Sequence, residues 1–355
     1  MIQQTLVKLL LAPFSLLYGF GVSIRDFFYR SGVLKGVSFS IPVISVGNLS
    51  IGGAGKTPHI EYLIRLLKDY IYIATISRGY RRKTRGFQLV RPRNNAEQVG
   101  DEPLQFKRKF PDILVSVSES RTFAIPKILG LQPQTQTILL DDAFQHRSVE
   151  PGLNILLTEY QYPFTRDYLL PSGRLREWRS AYRRADFIVV SKCPAVLSAE
   201  DRQRMVDEIR PLKWQQIYFS YYDYQAPYYL FHPGQRLLLR ADLDVLLICA
   251  IARTDYLLSY LEPRVRSVKV LEYEDHHYFT HFDLSNLKQA YERIEGKTKV
   301  ILTTEKDAMR LELHRKYIIE HQLPIFALPI QVRFHGEDAQ RFDRDVKEYL
   351  LGFRV

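Results

Sequence analysis

Short apolar runs rich in Val and Ile recur along the first half of the chain. They are IPVISVG at 41–47, YIATIS at 72–77, DILVSV at 112–117, TILLDD at 137–142, LNILLT at 153–158 and DFIVVS at 186–191. Stretches with helical spacing fall between several of them, as at 57–69 and 119–130. This alternation predicts an α/β fold, a parallel sheet with helices on both faces. Ligands of such a sheet sit beyond the carboxyl ends of its strands. Around 212–240 the pattern changes to tyrosine-rich, strand-like segments, QIYFSYYDY, APYYLFHP and QRLLLR, which read as a linker or hairpin. A second alternating series follows: DVLLICAIA, a helix near 253–262, SVKVLEY, a helix from 282, KVILTT, a helix near 304–313, and PIFALPI. It predicts a smaller second α/β domain, with a last helix at about 337–352 able to pack on either body. The expected division is 1–30, 31–211, 212–240 and 241–355.

The N-terminal part stands outside this pattern. Between Lys8 and Arg25 lie sixteen uncharged residues, LLLAPFSLLYGFGVSI, interrupted by Pro13, Ser15, Gly19 and Gly21. At 1.5 Å per residue they reach about 24 Å, short of the roughly 30 Å hydrocarbon core of a bilayer. No small-x-small cleavage site follows, so a secretory signal is not expected. Arg25, Arg30 and Lys35 come next, which fits a helix lying in a membrane interface with its cations against head groups. A buried core helix is the alternative reading.

Composition changes the picture only in places. The chain has 355 residues, 46% of them hydrophobic, and no repeat or low-complexity tract, as expected of a folded protein with a sizeable core. Its two cysteines, Cys193 and Cys249, make no disulfide framework and sit among apolar residues, so both are expected in the core of a protein of a reducing compartment. The net charge of +11 is concentrated: residues 78–93 hold seven Lys/Arg and no acid, and residues 174–184 hold five Arg and one Glu. Such patches are either solvated faces or surfaces that attract phosphates.

VGNLSIGGAGKTP, residues 46–58, carries candidate chemistry. An apolar strand ends at Gly47, Gly52, Gly53 and Gly55 allow backbone N–H groups to turn around phosphates, and a helix follows with its positive end toward them. The loop Ser50, Ile51, Gly52, Gly53, Ala54, Gly55, Lys56 and Thr57 is therefore the expected ATP site, with Lys56 on the outer phosphates and Thr57 on Mg²⁺. Pro58 falls in the first helical turn, where a missing N–H costs nothing. Ser50 stands where the usual pattern has glycine, so the backbone there must suit a side chain.

A phosphate loop of this kind needs an acid at the end of a second apolar strand. TILLDDAFQH supplies Asp141 and Asp142, one more carboxylate than capping the next helix requires. Guanine-reading elements are not met: SKCP has Pro194 in place of the aspartate, and TEKD at 304–307 has the wrong spacing. ATP is favoured over GTP.

Taken together the motifs resemble those of the tetraacyldisaccharide 4'-kinases, the lipid A 4'-kinases of Gram-negative bacteria. The resemblance runs through RDFFYRSGVL, PVISVGNLSIGGAGKTP, SRGYRR, VGDEP, SESR, DDAFQHR, LLPSGRLRE, YEDHHYFT and LTTEKDAMRL, and covers nearly the whole chain. Ser or Thr at the position of Ser50 is common in that family. The resemblance implies a P-loop kinase fold with a membrane-associated N-terminal helix. It also implies transfer of the ATP γ-phosphate to the 4'-hydroxyl of an acylated glucosamine disaccharide 1-phosphate, giving lipid IVA, at the cytoplasmic face of the inner membrane. The partners implied are that lipid and the membrane surface, with no nucleic acid. Two positions depart from the family: Ala143 in DDAFQH and Ala250 stand where glycine is common, which bears on local backbone geometry and not on a reacting group.

The same resemblance implies roles for residues. Asp101 of VGDEP is implied as the base that accepts the hydroxyl proton, oriented by His276, the two expected to pair where the domains meet. A helix N-cap is the structural alternative for Asp101. Arg78, Arg121, Gln145 and Arg176 are implied as phosphate or substrate contacts, and Lys306 and Asp307 as neighbours of the nucleotide base. His277 and His281 have the i, i+4 spacing of a metal pair, but Thr280 reads as a helix N-cap between them, which disfavours zinc. Two other classes share some features. A membrane-bound ATPase of the cell-division or targeting kind usually carries a second lysine where this chain has Ile51. A basic nucleic-acid module would account for the charge but not for the paired carboxylates.

Overall fold

A computed structural model describes residues 2–354, with side chains described from residue 7 onward. Residues 1 and 355, at the outer ends of the expected segments 1–30 and 241–355, lie outside the described residues. The chain divides into two compact units. The first holds 1–78, 118–222 and 332–355, and the second holds 79–117 and 223–331.

The first unit is built on a sheet whose spatial order is Ile330–Phe334, Gln216–Tyr224, Phe187–Ser191, Leu153–Glu159, Val43–Asn48, Thr137–Asp141 and Ile73–Ser77. The last six run parallel, and the five from Phe187–Ser191 to Ile73–Ser77 are buried almost throughout, as the uninterrupted apolar runs require. Val46 pairs with Asp141, so the carboxyl ends of the strand before the glycine loop and of the aspartate strand lie side by side. The tyrosine-rich run QIYFSYYDY is not a linker. It forms the strand Gln216–Tyr224 and extends this sheet, with Tyr218 and Phe219 fully buried. The C-terminal helix Asp338–Gly352 packs here too, its Phe342 meeting Phe334, Tyr62, Phe187 and Tyr218.

The N-terminal helix spans Ile2–Arg30, 29 residues, and so runs past the uncharged stretch at both ends. One face is tied to the body of this unit. Ser15 Oγ donates to Leu169 O at 3.0 Å, Tyr18 Oη to Arg176 O at 3.0 Å, and Trp178 Nε1 to Gly19 O at 3.2 Å. Arg25 pairs with Glu177, and Arg147 with Asp26. The other face is apolar and exposed: Leu9, Leu10 and Leu17 are each more than 70% accessible, and Phe14, Leu16 and Phe20 at least 60%.

The second unit has its own sheet, in the order His232–Arg236, Tyr228–Tyr229, Ile325–Leu328, Lys299–Thr304, Asp244–Cys249 and Ser267–Glu272. The last four strands are parallel, and the first two form an antiparallel hairpin. Residues 79–117 belong to this unit, although their apolar run places them with the first series in sequence. Charge explains the assignment. The helix Asp101–Lys109 packs along Glu305–Leu311, with Lys109 on Glu305 at 2.6 Å, Arg108 on Glu312, and Arg310 on Asp101 at 3.4 Å.

Candidate active site

In the first unit the glycine loop joins Val43–Asn48 to the helix Lys56–Leu67. Gly55, the N-cap, has φ +88°, and a Cβ there would stand 2.6 Å from Tyr222 Oη, so glycine is required twice over. Ser50 lies outside the left-handed region and pairs with Leu175, while Ile51 N–H donates to Arg174 O at 2.7 Å. A side chain is therefore tolerated at Ser50. The loop is fixed further by Ser191 Oγ on Ala54 O at 2.8 Å and by His59 Nδ1 on Gly55 O at 2.7 Å. Thr57 is the second residue of the helix and half-buried.

Lys56, Asp142 and Arg176 meet over Asn48. Lys56 Nζ donates to Asn48 Oδ1 at 2.9 Å and lies 3.5 Å from Asp142 Oδ1. Arg176 binds Asp142 in a fork, at 2.8 and 3.2 Å, and donates to Asn48 Oδ1 at 2.8 Å. Gln145 Nε2 donates to Asn48 O at 2.9 Å. Burial would raise the Asp142 carboxyl, but Lys56 and Arg176 outweigh it and hold the group well below the usual carboxylate range. Asp142, at φ +47°, takes the left-handed conformation, and Ala143 does not, so the missing family glycine leaves no strain at 143. Asp141 is buried at its strand end and accepts from Ser77 Oγ at 3.1 Å.

Arg121, fully buried at the start of its helix, donates to His146 Nε2 at 2.9 Å. Burial lowers Arg121 to about 10 even with Asp142 and Asp141 nearby. Burial, then the charges of Arg121 and Arg78, push His146 down to about 4. His146 is thus a neutral acceptor. Arg78 is exposed just past the strand Ile73–Ser77.

In the second unit Asp101 is buried at the first turn of Asp101–Lys109, after Gly100 at φ +90°. It does not cap the helix, because Oδ1 accepts only from its neighbour Glu102 N–H, at 3.0 Å, and Oδ2 turns to His276 Nδ1 at 3.2 Å. Burial alone would raise Asp101; Lys306, His276 and Arg310 reverse this and keep it ionised far below the ordinary range. Asp101 and His276 thus belong to one unit and do not come one from each domain, because 79–117 folds with 223–331. His276 has φ +61°, a left-handed backbone held by its N–H on Ala250 O at 3.1 Å and by Arg81 on its carbonyl at 2.8 Å. The ring of Tyr80 lies 4.6 Å from that of His276.

Lys306 and Asp307 do not have the surroundings expected of residues that hold a nucleotide base. Asp307 is fully buried and accepts from Ala250 N–H at 3.1 Å, from Thr304 Oγ1 at 2.7 Å and from Arg310. Lys306 donates to His276 Nε2 at 2.9 Å and lies 3.3 Å from Asp275 and 3.4 Å from Glu102. Asp307 is a structural anchor, and Lys306 belongs to the Asp101 cluster. His277 binds Asp283, and Thr280 caps the helix His281–Glu292 as expected, so His277 and His281 do not share a helical face. Asn48, His59, His146, Glu102 and Arg310 join these clusters without having been singled out in the sequence. All but His59 stand inside quoted motifs, which was the available signal.

A doubly covered parallel sheet, a glycine loop with its lysine, and carboxylates at the adjoining strand end define a P-loop phosphotransferase. A sequence model of the family described as LpxK, tetraacyldisaccharide-1-P 4'-kinase, matches residues 7–350. A tetraacyldisaccharide 4'-kinase of Bacteroides thetaiotaomicron is 39% identical over 352 residues, 96% of this chain and 92% of the relative. One of Flavobacterium johnsoniae is 41% identical over 350 residues, 98% of each. A crystal structure of LpxK from Aquifex aeolicus in complex with ATP superimposes with a TM-score of 0.73, at 27% identity, covering 97% of this chain and 99% of that one. The chain belongs to the tetraacyldisaccharide-1-P 4'-kinase family, and it is a kinase.

Proposed function

We propose that the protein transfers the γ-phosphate of ATP to the 4'-hydroxyl of tetraacyldisaccharide 1-phosphate, forming lipid IVA in lipid A biosynthesis. The observation that carries this reading is the convergence of Lys56, Asp142 and Arg176 beside the loop, in a chain whose family acts on that lipid. The loop suits nucleotide phosphates: Gly52 and Gly55 hold φ values open to glycine, and the helix after Gly55 directs N–H groups outward. The Thr57 hydroxyl and the Asp141 and Asp142 carboxylates form an all-oxygen donor set, the kind Mg²⁺ takes. Those residues would hold it, and when bound it would neutralise charge on the transferring phosphoryl group.

Lys56 stabilises the outer phosphates, exchanging Asp142 for them while Asn48 Oδ1 keeps its ammonium placed. Arg176, Gln145, Arg121 and Arg78 orient anionic groups of nucleotide and acceptor. Asp101 takes the proton of the attacking hydroxyl at its carboxylate, and His276 fixes the orientation of that carboxylate. Asp101 is held at low proton affinity, so its part is to receive the proton late, as the hydroxyl oxygen bonds to phosphorus and its proton becomes acidic.

The exposed apolar face of Ile2–Arg30 supports a membrane-surface location, and the need for ATP supports the cytoplasmic face of the inner membrane. The helix is long enough by composition to span, at 24 residues from Val7 to Arg30. Its contacts with the body from Ser15 to Asp26 favour a helix that lies along the surface. Incubation with γ-labelled ATP and acylated disaccharide 1-phosphate should give a doubly phosphorylated lipid with label at the 4' position. ATP hydrolysis with no labelled lipid would overturn the reading.

A further inference from the structure

His276 has two ring nitrogens and its partner atoms differ in kind. Nδ1 faces Asp101 Oδ2 at 3.2 Å, and Nε2 faces Lys306 Nζ at 2.9 Å. An ammonium can only donate, and an ionised carboxylate can only accept. The two contacts together therefore allow one tautomer: Nε2 bare, Nδ1 protonated and donating to Asp101.

We propose that Lys306 is a positioning residue for the kinase reaction: it selects the Nδ1–H tautomer of His276 and so aims Asp101 at the acceptor hydroxyl. The inference rests on the reading of Asp101 as the proton acceptor and names what keeps that acceptor oriented. Lys306 is well placed for the task. It sits in the first turn of Glu305–Leu311, whose N-cap Thr304 accepts from Asp307 N–H at 3.1 Å. Its ammonium is shared by carboxylates from two other elements, Glu102 at 3.4 Å and Asp275 at 3.3 Å; burial alone would lower its proton affinity, but the charges of Glu102, Asp101 and Asp275 outweigh it and raise it, so the charge is kept.

The charged groups around the imidazole are accounted for on every side. Asp101 and Glu102 come from one helix, Asp275 from its own loop, and Lys306 and Arg310 from another helix; Arg81 binds its carbonyl, and Tyr80 lies against the ring. Ligand atoms of Asp101, Glu102 and His276 fall within 4.8 Å of one another, a grouping that resembles a divalent-metal site. Lys306 Nζ already bonds His276 Nε2 and neighbours Glu102 there, so the cluster has its cation. Without that ammonium, Nε2 still faces the Glu102 and Asp275 oxygens at 3.8 and 3.9 Å. Both accept only. Nε2 would then be drawn to carry a proton, and the Nδ1–H donor to Asp101 would no longer be the one form favoured.

The test compares the full-length protein with Lys306→Met and Lys306→Arg. The ¹⁵N signals of His276, assigned by their loss in His276→Gln, report which nitrogen is protonated. The parent protein should show protonated Nδ1 and bare Nε2. Lys306→Met should show a protonated Nε2 and lose kcat by about 10–100-fold, the usual scale for partners that fix an imidazole, with KM for ATP nearly unchanged. Lys306→Arg keeps a donor and a charge, so it should retain the tautomer and most of kcat, and it remains informative if the Met variant folds poorly. An unchanged tautomer in Lys306→Met, or a changed tautomer with full kcat, overturns the proposal. Full kcat in Asp101→Asn overturns instead the reading of Asp101 as proton acceptor, while the ¹⁵N signals still decide whether Lys306 sets the tautomer.

Discussion

Asp101 and His276 stand 175 positions apart in sequence, yet their side chains meet at 3.2 Å inside one compact unit. The pair is built into the second unit by the ion pairs that bind Asp101–Lys109 to Glu305–Leu311. A preassembled pair predicts non-additive kinetics. Asp101→Ala should lower kcat by about 10²–10⁴-fold, the range for a positioned base, and leave ATP affinity intact. His276→Ala should cost less, since it removes the orienting group and not the acceptor. The double variant should be little worse than Asp101→Ala, because groups acting as a unit do not add. If the two losses multiply, the residues work separately.

Asn48 gives a second prediction. Its Oδ1 accepts from both Lys56 and Arg176, at 2.9 and 2.8 Å, while its backbone carbonyl holds Gln145. Lys56→Ala should lose most turnover with unchanged circular dichroism. Asn48→Ala keeps the lysine but frees its ammonium from the loop. A hydrogen bond to a charged group contributes about 1.5–3 kcal/mol, so ATP affinity by calorimetry should fall roughly ten- to a hundredfold. Wild-type affinity in Asn48→Ala would show that the lysine is placed without it.

Much of this was legible in the sequence where one local pattern sufficed. The strands Val43–Asn48 and Thr137–Asp141 end where their apolar runs end, and Thr280 caps its helix as its spacing predicts. What was not legible depends on partners far along the chain. Gln216–Tyr224 reads as a strand-like part of a linker or hairpin, and only its pairing with Phe187–Ser191 makes it an extension of the first sheet. Lys306 and Asp307 are adjacent in a motif yet face different partners, one the Asp101 cluster and the other Arg310 and the Ala250 amide. Residues 79–117 join the second unit through charge pairs that no periodicity records.

Acid should loosen the first unit through His59. Its Nδ1 donates to Gly55 O and its Nε2 accepts from Ser220 Oγ at 3.0 Å, so the ring is neutral, and burial holds it at about 4 against an ordinary 6.5. The folded-state value is depressed, so below about 6.5 the unfolded chain takes up a proton that the folded protein refuses. The contribution to stability is full above that pH and is lost as the pH falls toward 4, on the order of 3 kcal/mol in all. Trp178 and Trp214 both lie in this unit and report its unfolding. In urea, wild type should lose stability between pH 7.5 and 4.5, and His59→Gln, which keeps polar atoms but does not titrate, should lose about 2–3 kcal/mol less. His146, also held at about 4, titrates in the same window in both proteins. Equal pH slopes in the two would remove His59 from the account.

The N-terminal helix calls for substitutions on its outer face, because removing it would disturb the site. Tyr18 holds the Arg176 carbonyl and Arg25 holds Glu177, so a deletion reaches the residue that binds Asp142 as well as the apolar surface. Leu10 and Leu17 point away from the body and make none of those bonds. Fully burying a leucine is favourable by about 1.5–3 kcal/mol, so Leu10→Ser with Leu17→Ser should weaken association with anionic liposomes by roughly a hundredfold or more. The apparent KM for the lipid should rise with it, while KM for ATP stays put, since the inward contacts are untouched. Exchanging the exposed Tyr70, on the same unit but outside this helix, for serine should change neither. Undiminished liposome binding by the Leu10, Leu17 variant would show that the exposed leucines are not the membrane-facing surface.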